Sequence, residues 1–169
     1  MKVELLPANI DDESEMRVFG SLYRDYVAEL SEFSDNLKAK PVTKNELLRI
    51  CYNRSLEKYF VLANDQIVGF LLLGVNKNKH EASDWFIGEF YIKKSHQEQK
   101  IGQSVIQKML ENQKGRYCLF ILNKNKRAKY FWDKVFTECG YRDVSSDYFC
   151  DCVPDDCIFR MYGPCGKRN

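Results

Sequence analysis

No stretch of the 169 residues approaches the ~18 consecutive apolar side chains that a membrane-spanning helix needs. The opening segment, Met1 to Met16, lacks the apolar centre of a secretory signal. A cytoplasmic protein without a membrane partner is the expectation. Charge of one sign is not in excess either: 26 basic residues face 24 acidic ones, a net of +2, so no long-range field points to nucleic acid. Internal repeats, low-complexity tracts and linkers are missing too, which leaves one domain over residues 1–169. With 44% hydrophobic residues, that domain can fill a single core.

The paired C-x2–4-C spacing of common zinc sites is absent. The cysteines number seven, an odd count, and in a reducing compartment they read as free thiols. Four of them, Cys150, Cys152, Cys157 and Cys165, crowd the C-terminal region and would supply soft ligands to a zinc-dependent tail. Incidental cysteines on late strands are the simpler reading, and no metal is expected.

Periodicity supplies the elements. Val3–Leu6 alternates as a strand does before Pro7, and Phe19, Tyr23, Tyr26, Val27 and Leu30 fall on one face of a helix. The stretch "SEFSDNLKAKP" breaks that pattern, and Thr43-Lys44-Asn45-Glu46 has the form of a capping box that opens a second helix. Tyr59–Ala63 and Ile67–Val75 flank Asn64-Asp65-Gln66 as the arms of a hairpin, then residues 76–84 form a polar loop. Trp85–Ile92 reads as a strand, Ile101 onward as a helix ending near Gly115, and Tyr117–Leu122 as a strand. Ala128, Phe131, Trp132, Val135, Phe136 and Cys139 make an amphipathic helix stopped by Gly140. Strands around Tyr141–Ser145 and Cys157–Tyr162 finish a β-α-α-β-β-β-α-β-α-β-β order, an α/β domain.

The junction between Ile92 and the following helix carries chemistry. A strand that runs into a helix leaves the first helical N–H groups unpaired, and the macrodipole there favours an anion. Phosphate loops usually carry several glycines, whereas Gln97-Glu98-Gln99-Lys100-Ile101-Gly102 has one. The hexapeptide is nonetheless similar to the pyrophosphate loop, Q/R-x-x-G-x-G/A, of the GNAT superfamily of N-acetyltransferases. Gln97 matches the first position and Gly102 the last, while Lys100 replaces the middle glycine. Lysine keeps the backbone N–H, at a cost if the position needs positive φ. Glu98 must turn its carboxylate away from a pyrophosphate. A second segment, Asn125 to Trp132 followed by Gly140-Tyr141, resembles the family's N-x-x-A-x-x-F-Y stretch with its glycine-aromatic pair.

The resemblance implies a mixed, mostly antiparallel sheet of six to seven strands flanked by about four helices, and acetyl-CoA as cosubstrate. It implies that Phe90, Tyr91 and Ile92 pair with the pantetheine arm, and that Glu98, Gln99, Lys100, Ile101, Gly102, Gln103 and Ser104, after Gln97, wrap the pyrophosphate. Asn125 would reach the pantetheine and Phe131 the thiol end. Read from the residues alone, Phe90, Ile92 and Phe131 also suit a core, and Asn125 a helix cap.

Acetyl transfer needs a neutral amine, a polarised carbonyl and a proton for the departing thiolate. Glu89, on the same strand face as Tyr91, is the candidate base or ammonium-binding group; the alternative is a solvated carboxylate. His96 reads as a surface residue. The family's thiolate-protonating tyrosine falls on Trp132, which is no general acid, so Tyr130, Tyr148 or water would serve. Glu29, Glu32, Asp35 and Glu89 could line an acidic acceptor pocket, with surface solvation the plainer account.

The basic run Lys124 to Lys129 is better explained as a solvated face, or as attraction for coenzyme A phosphates, than as a nucleic-acid patch. The resulting expectation is an acetyl-CoA-dependent N-acetyltransferase acting on a primary amine. The alternative is a catalytically weak CoA-binding sensor of the same fold. A homodimer is compatible with either.

Overall fold

Residues 1–38, 40–75 and 82–166 are described by a computed structural model. The strands are β1 (Val3–Pro7), β2 (Leu56–Ala63), β3 (Gln66–Val75), β4 (Trp85–Ile92), β5 (Tyr117–Leu122), β6 (Tyr141–Asp143) and β7 (Cys157–Pro164). The helices are α1 (Glu13–Leu30), α2 (Asp35–Lys38), α3 (Lys44–Cys51), α4 (Ile101–Asn112) and α5 (Lys126–Glu138). The strands form one sheet in the order β1-β2-β3-β4-β5-β7-β6, antiparallel throughout except for the parallel pair β4 and β5. This is the mixed, mostly antiparallel sheet the sequence suggested, with one more helix than expected.

Alternation along the strands divides the core in two. On one face, Phe60, Phe70, Leu72 and Tyr91 meet Phe19, Leu22, Tyr23, Leu47 and Cys51 of α1 and α3. On the other, Val61, Leu71, Ile87, Leu119, Ile121 and Tyr162 meet the apolar faces of α4 and α5. There the rings of Phe136 and Tyr162 stack with centroids 4.0 Å apart, and the Tyr162 hydroxyl donates to Asp133 at 2.6 Å. Each such buried side chain contributes about 1.5–3 kcal/mol.

Local chemistry sets the ends of the elements. Asp12 caps α1 by accepting from Ser14 N at 2.9 Å and Glu15 N at 3.0 Å, and Thr43 caps α3 by accepting from Glu46 N at 3.2 Å. The β2–β3 turn is two residues long, Asn64 and Asp65, both at positive φ, the combination that suits a tight hairpin. Gly140 sits at φ +79° after α5, as a left-handed stop requires.

Three expectations are adjusted. The segment read as a break holds the single-turn α2, where Ser34 Oγ accepts from Leu37 N at 3.4 Å and donates to Asp156. β2 begins at Leu56 rather than Tyr59. β6 stops at Asp143, whose carboxylate accepts from Ser145 N at 2.8 Å and turns the chain into a 3-10 turn over Ser145–Asp147. Most of the expected polar loop, 76–81, lies outside the described residues.

Candidate active site

β4 and β5 pair only through Trp85–Ile87 with Tyr117–Leu119. Gly88 is an extra residue in β4, because Leu72 faces Glu89 while Leu73 faces Ile87, and such a bulge bends the strand. Beyond it the two strands part, and the gap opens into a cleft of about 1060 Å³ that reaches both faces of the sheet. The N–H of Lys93 bonds Val68 O at 2.8 Å, on the β3 side. Strand alternation therefore turns the N–H groups of Ile92 and Phe90 the other way, into the gap.

The loop after β4 has an unusual backbone. Glu98 and Lys100 both adopt left-handed geometry, φ +64° and +61°. Lysine therefore occupies the conformation that glycine would take at the middle position, at a steric cost. Two left-handed residues in one short loop tilt neighbouring N–H groups into a concave nest. Among the described residues, the N–H groups of Gln99, Lys100, Ile101, Gly102 and Gln103 have no hydrogen-bond acceptor, and Ser104 N is the first to find one, Lys100 O at 2.9 Å. These orphan donors at a helix start fit a pyrophosphate. The exposed carboxylate of Glu98 pairs with Arg127 at 3.3 Å, and both residues border the cleft.

The Gln97 side chain does not reach into this nest. Its Nε2 donates to Ile92 O at 2.9 Å and to both Glu29 oxygens at 3.0 and 3.1 Å, tying α1 to the end of β4. Glu89, Phe90, Tyr91, Ile92, Gln97, Glu98, Lys100, Ile101, Gly102, Gln103, Asn125 and Phe131 all line the cleft. Gln99 and Ser104 do not. Gln99 is exposed with its amide on Ser95 O at 3.1 Å, and Ser104 is already within the first turn of α4.

Across the gap, Asn125 caps α5 by accepting from Ala128 N at 3.0 Å, and among the described residues its amide NH₂ has no acceptor. Phe131 stacks on Phe90, centroids 6.0 Å apart, and both rings border Gly102. A Cβ on Gly102 would lie 3.4 Å from each ring, in contact with both, so a side chain larger than alanine would crowd the entrance. Trp132 is buried against Phe90, Phe131 and Phe136, a core role.

On the α1 side of the gap, the Tyr26 hydroxyl donates to Glu89 Oε2. Burial pushes the Glu89 carboxyl up to about 7, partly opposed by that hydrogen bond. Burial and the neighbouring Glu89 hold the Tyr26 phenol well above its ordinary value, so it stays a donor. A carboxylate poised near neutrality beside a cleft has the character of a general base. Cys157 also borders the cleft, its thiol pushed up to about 11 by burial, Asp156 and Glu89, so it is neutral and unreactive.

Sequence reasoning missed Tyr26 as a site residue. It was assigned to the apolar face of α1, yet a tyrosine on such a face carries a hydroxyl that needs a partner. Of the tyrosines considered as acids, Tyr148 lies outside the cleft and accepts from Arg116, while Tyr130 is on its rim and exposed. Of the expected acidic lining, Glu29, Glu32 and Glu89 border the cleft, joined by Asp156, whereas Asp35 does not and pairs with Lys38 at 3.4 Å. Among the described residues no three His, Cys, Asp or Glu side chains converge as a metal site, and Cys150 and Cys152 stand as a pair with sulfurs 2.8 Å apart. Among the same residues, no helix is long and apolar enough to cross a membrane.

The sequence matches the family described as an acetyltransferase (GNAT) domain over residues 55–142, more than half of the chain, and the chain belongs to that family. Solved structures share its fold. An acetyltransferase from Thermus thermophilus is 17% identical, with 95% of this chain and 96% of that one covered and a TM-score of 0.62. Spermidine N-acetyltransferase from Vibrio cholerae, in complex with CoA and spermine, is 16% identical over 95% of this chain and 94% of its own, TM-score 0.61. PaiA N-acetyltransferase from Thermoplasma acidophilum, in complex with coenzyme A, is 17% identical over 97% and 99%, TM-score 0.55. No match was found among curated proteins.

Proposed function

We propose that the protein transfers the acetyl group of acetyl-CoA to a primary amine by direct attack of the amine on the thioester. The observation that carries this reading is the continuity of one cleft, from the unpaired donors at Lys100–Gln103 through the β4–β5 gap to Glu89. Acetyl-CoA supplies the activated acyl group. The loop N–H groups hold its pyrophosphate, Phe90 and Ile92 offer N–H groups along the gap, and Asn125 offers its amide. Glu89, ionised in an appreciable fraction at neutral pH, takes the amine proton directly or through a water, and Tyr26 orients it. The neutral thiol of Cys157 argues against an acyl-cysteine route.

A second reading, a CoA-binding sensor with little turnover, is favoured by the two non-glycine left-handed residues in the loop and by the burial of Trp132 where the family carries a tyrosine. Two measurements separate the readings. Acetyl-CoA at a hundredfold excess over its Kd should stabilise the fold by about 2.7 kcal/mol in both. Consumption of acetyl-CoA with a panel of primary amines occurs only if the protein is a transferase. Binding without turnover on any amine would favour the sensor, and no binding would sink both.

A further inference from the structure

The half of the cleft on the α1 side of the sheet differs in character from the half that faces the nest. Its floor is the outer face of β4 and β5, which α1 and α3 leave uncovered. Phe86 and Phe120 lie side by side on that floor, half-buried, with centroids 5.8 Å apart in an edge-to-face contact. A Cβ at Gly88, two residues after Phe86, would lie 3.6 Å from the Phe86 ring and 3.5 Å from Leu56, so glycine keeps this part of the floor clear next to Glu89. Leu56, Leu122 and Phe33 add apolar walls.

The polar groups of this half include Glu29, Glu32, Glu89, Asp156 and Cys157. Glu29 is held by the Gln97 amide, and Asp156 accepts from Ser34. Cys157 is a neutral thiol. Glu89 has a phenol as its partner, Tyr26, and no cation among the described residues.

We infer that this half of the cleft takes a primary amine with an aromatic or bulky apolar body, the ring lying on Phe86 and Phe120 and the amino nitrogen at Glu89. The inference rests on the acetyl-transfer reading and names the substrate class of that site. A ring on the floor would remove the exposed faces of both phenylalanines from water and would complete an aromatic cluster at favourable offset or edge-to-face geometry. A linear polyamine fits poorly. It would leave both rings bare to water and so gain nothing from the floor, although Glu29, Glu32 and Asp156 border the same cleft.

The test uses the full chain with CoA bound. 2-Phenylethylamine, butylamine and spermidine are titrated into it by calorimetry, and acetyl-CoA consumption is followed with each. Phenylethylamine should bind roughly tenfold or more tightly than butylamine, in keeping with the 10–200-fold that an apolar pocket gains from an added methylene, and should have the highest kcat/KM. Phe120→Ala should remove most of that preference while leaving CoA affinity within about twofold. Phe120→Leu, which keeps an apolar side chain, serves as a second variant if the alanine protein does not fold. Equal or tighter binding of butylamine or spermidine would overturn the inference, as would a loss in either Phe120 variant that is the same for all three amines. If CoA itself does not bind, the transferase reading falls separately, and the same amine titration on the protein alone decides the preference of the floor.

Discussion

The hydroxyl of Tyr26, on α1, donates a hydrogen bond to the carboxylate of Glu89, on β4, and so connects the first helix to the point where the sheet splits. The bond favours the ionised form of Glu89, opposing the burial that raises it. Tyr26→Phe removes the donor and keeps the ring, which packs edge-on against Phe70 at 5.6 Å. The acidic limb of the pH–rate profile should then move to higher pH, while the KM for acetyl-CoA changes little. Full pH profiles of both proteins check this; a uniform drop in rate with no displacement of the limb would assign Tyr26 to packing alone.

Glu89→Gln removes the base and preserves an oxygen that can still accept from Tyr26. The maximal rate should fall roughly 10²–10⁴-fold, with acetyl-CoA affinity unchanged. Activity should recover at high pH, where the amine arrives already deprotonated. A mutant that only raises the KM of the amine would instead make Glu89 a binding group, and unchanged kinetics at every pH would remove it from the mechanism.

Lys100 and Gly102 make opposite predictions two residues apart. Lys100→Gly relieves a left-handed side-chain conformation, and at φ +61° it should stabilise the fold by about 1 kcal/mol or less, after the entropy of glycine is subtracted. Cofactor affinity should hold, since the backbone N–H remains. Gly102→Val puts methyl groups beyond a Cβ that already lies 3.4 Å from the Phe90 and Phe131 rings, so it should crowd the entrance. Denaturant titration and acetyl-CoA binding of both variants test the pair. Normal binding by Gly102→Val would mean that the phosphates lie elsewhere.

How far these features could be read from sequence depends on whether they are local. The amphipathic spacing of α5, the cap at Thr43 and the glycine stop at Gly140 follow from neighbours along the chain, and they stand where expected. The cost at Lys100 was also legible, because steric limits on φ belong to a single residue. The role of Gln97 was not. Its amide turns to Glu29, 68 residues earlier, and no motif records that partnership. Tyr26 and Glu89 are separated by 63 residues, so their bond exists only once α1 has packed on β4. The apolar floor at Phe86 and Phe120 was hidden for a related reason. Period-two alternation places the two rings on one face, but only the tertiary fold shows that α1 and α3 stop short of covering them.

Burial of Glu89 also has a consequence for stability that does not depend on catalysis. Its folded-state pKa, about 7, lies above the unfolded value near 4.5, so the folded protein binds the proton more tightly than the unfolded chain. Stability should therefore be undiminished by this group below about pH 4.5, and should decline as pH rises toward 7, where the carboxylate ionises in a poorly hydrated place. Glu89→Gln cannot ionise and avoids that decline. The mutant should be more stable than the parent at pH 8, by roughly 1–3 kcal/mol, and the difference should vanish near pH 4. Denaturant midpoints across this range measure it directly. A difference that stays constant with pH would show that the carboxylate is hydrated in the fold, and would remove the physical basis for placing its pKa near neutrality.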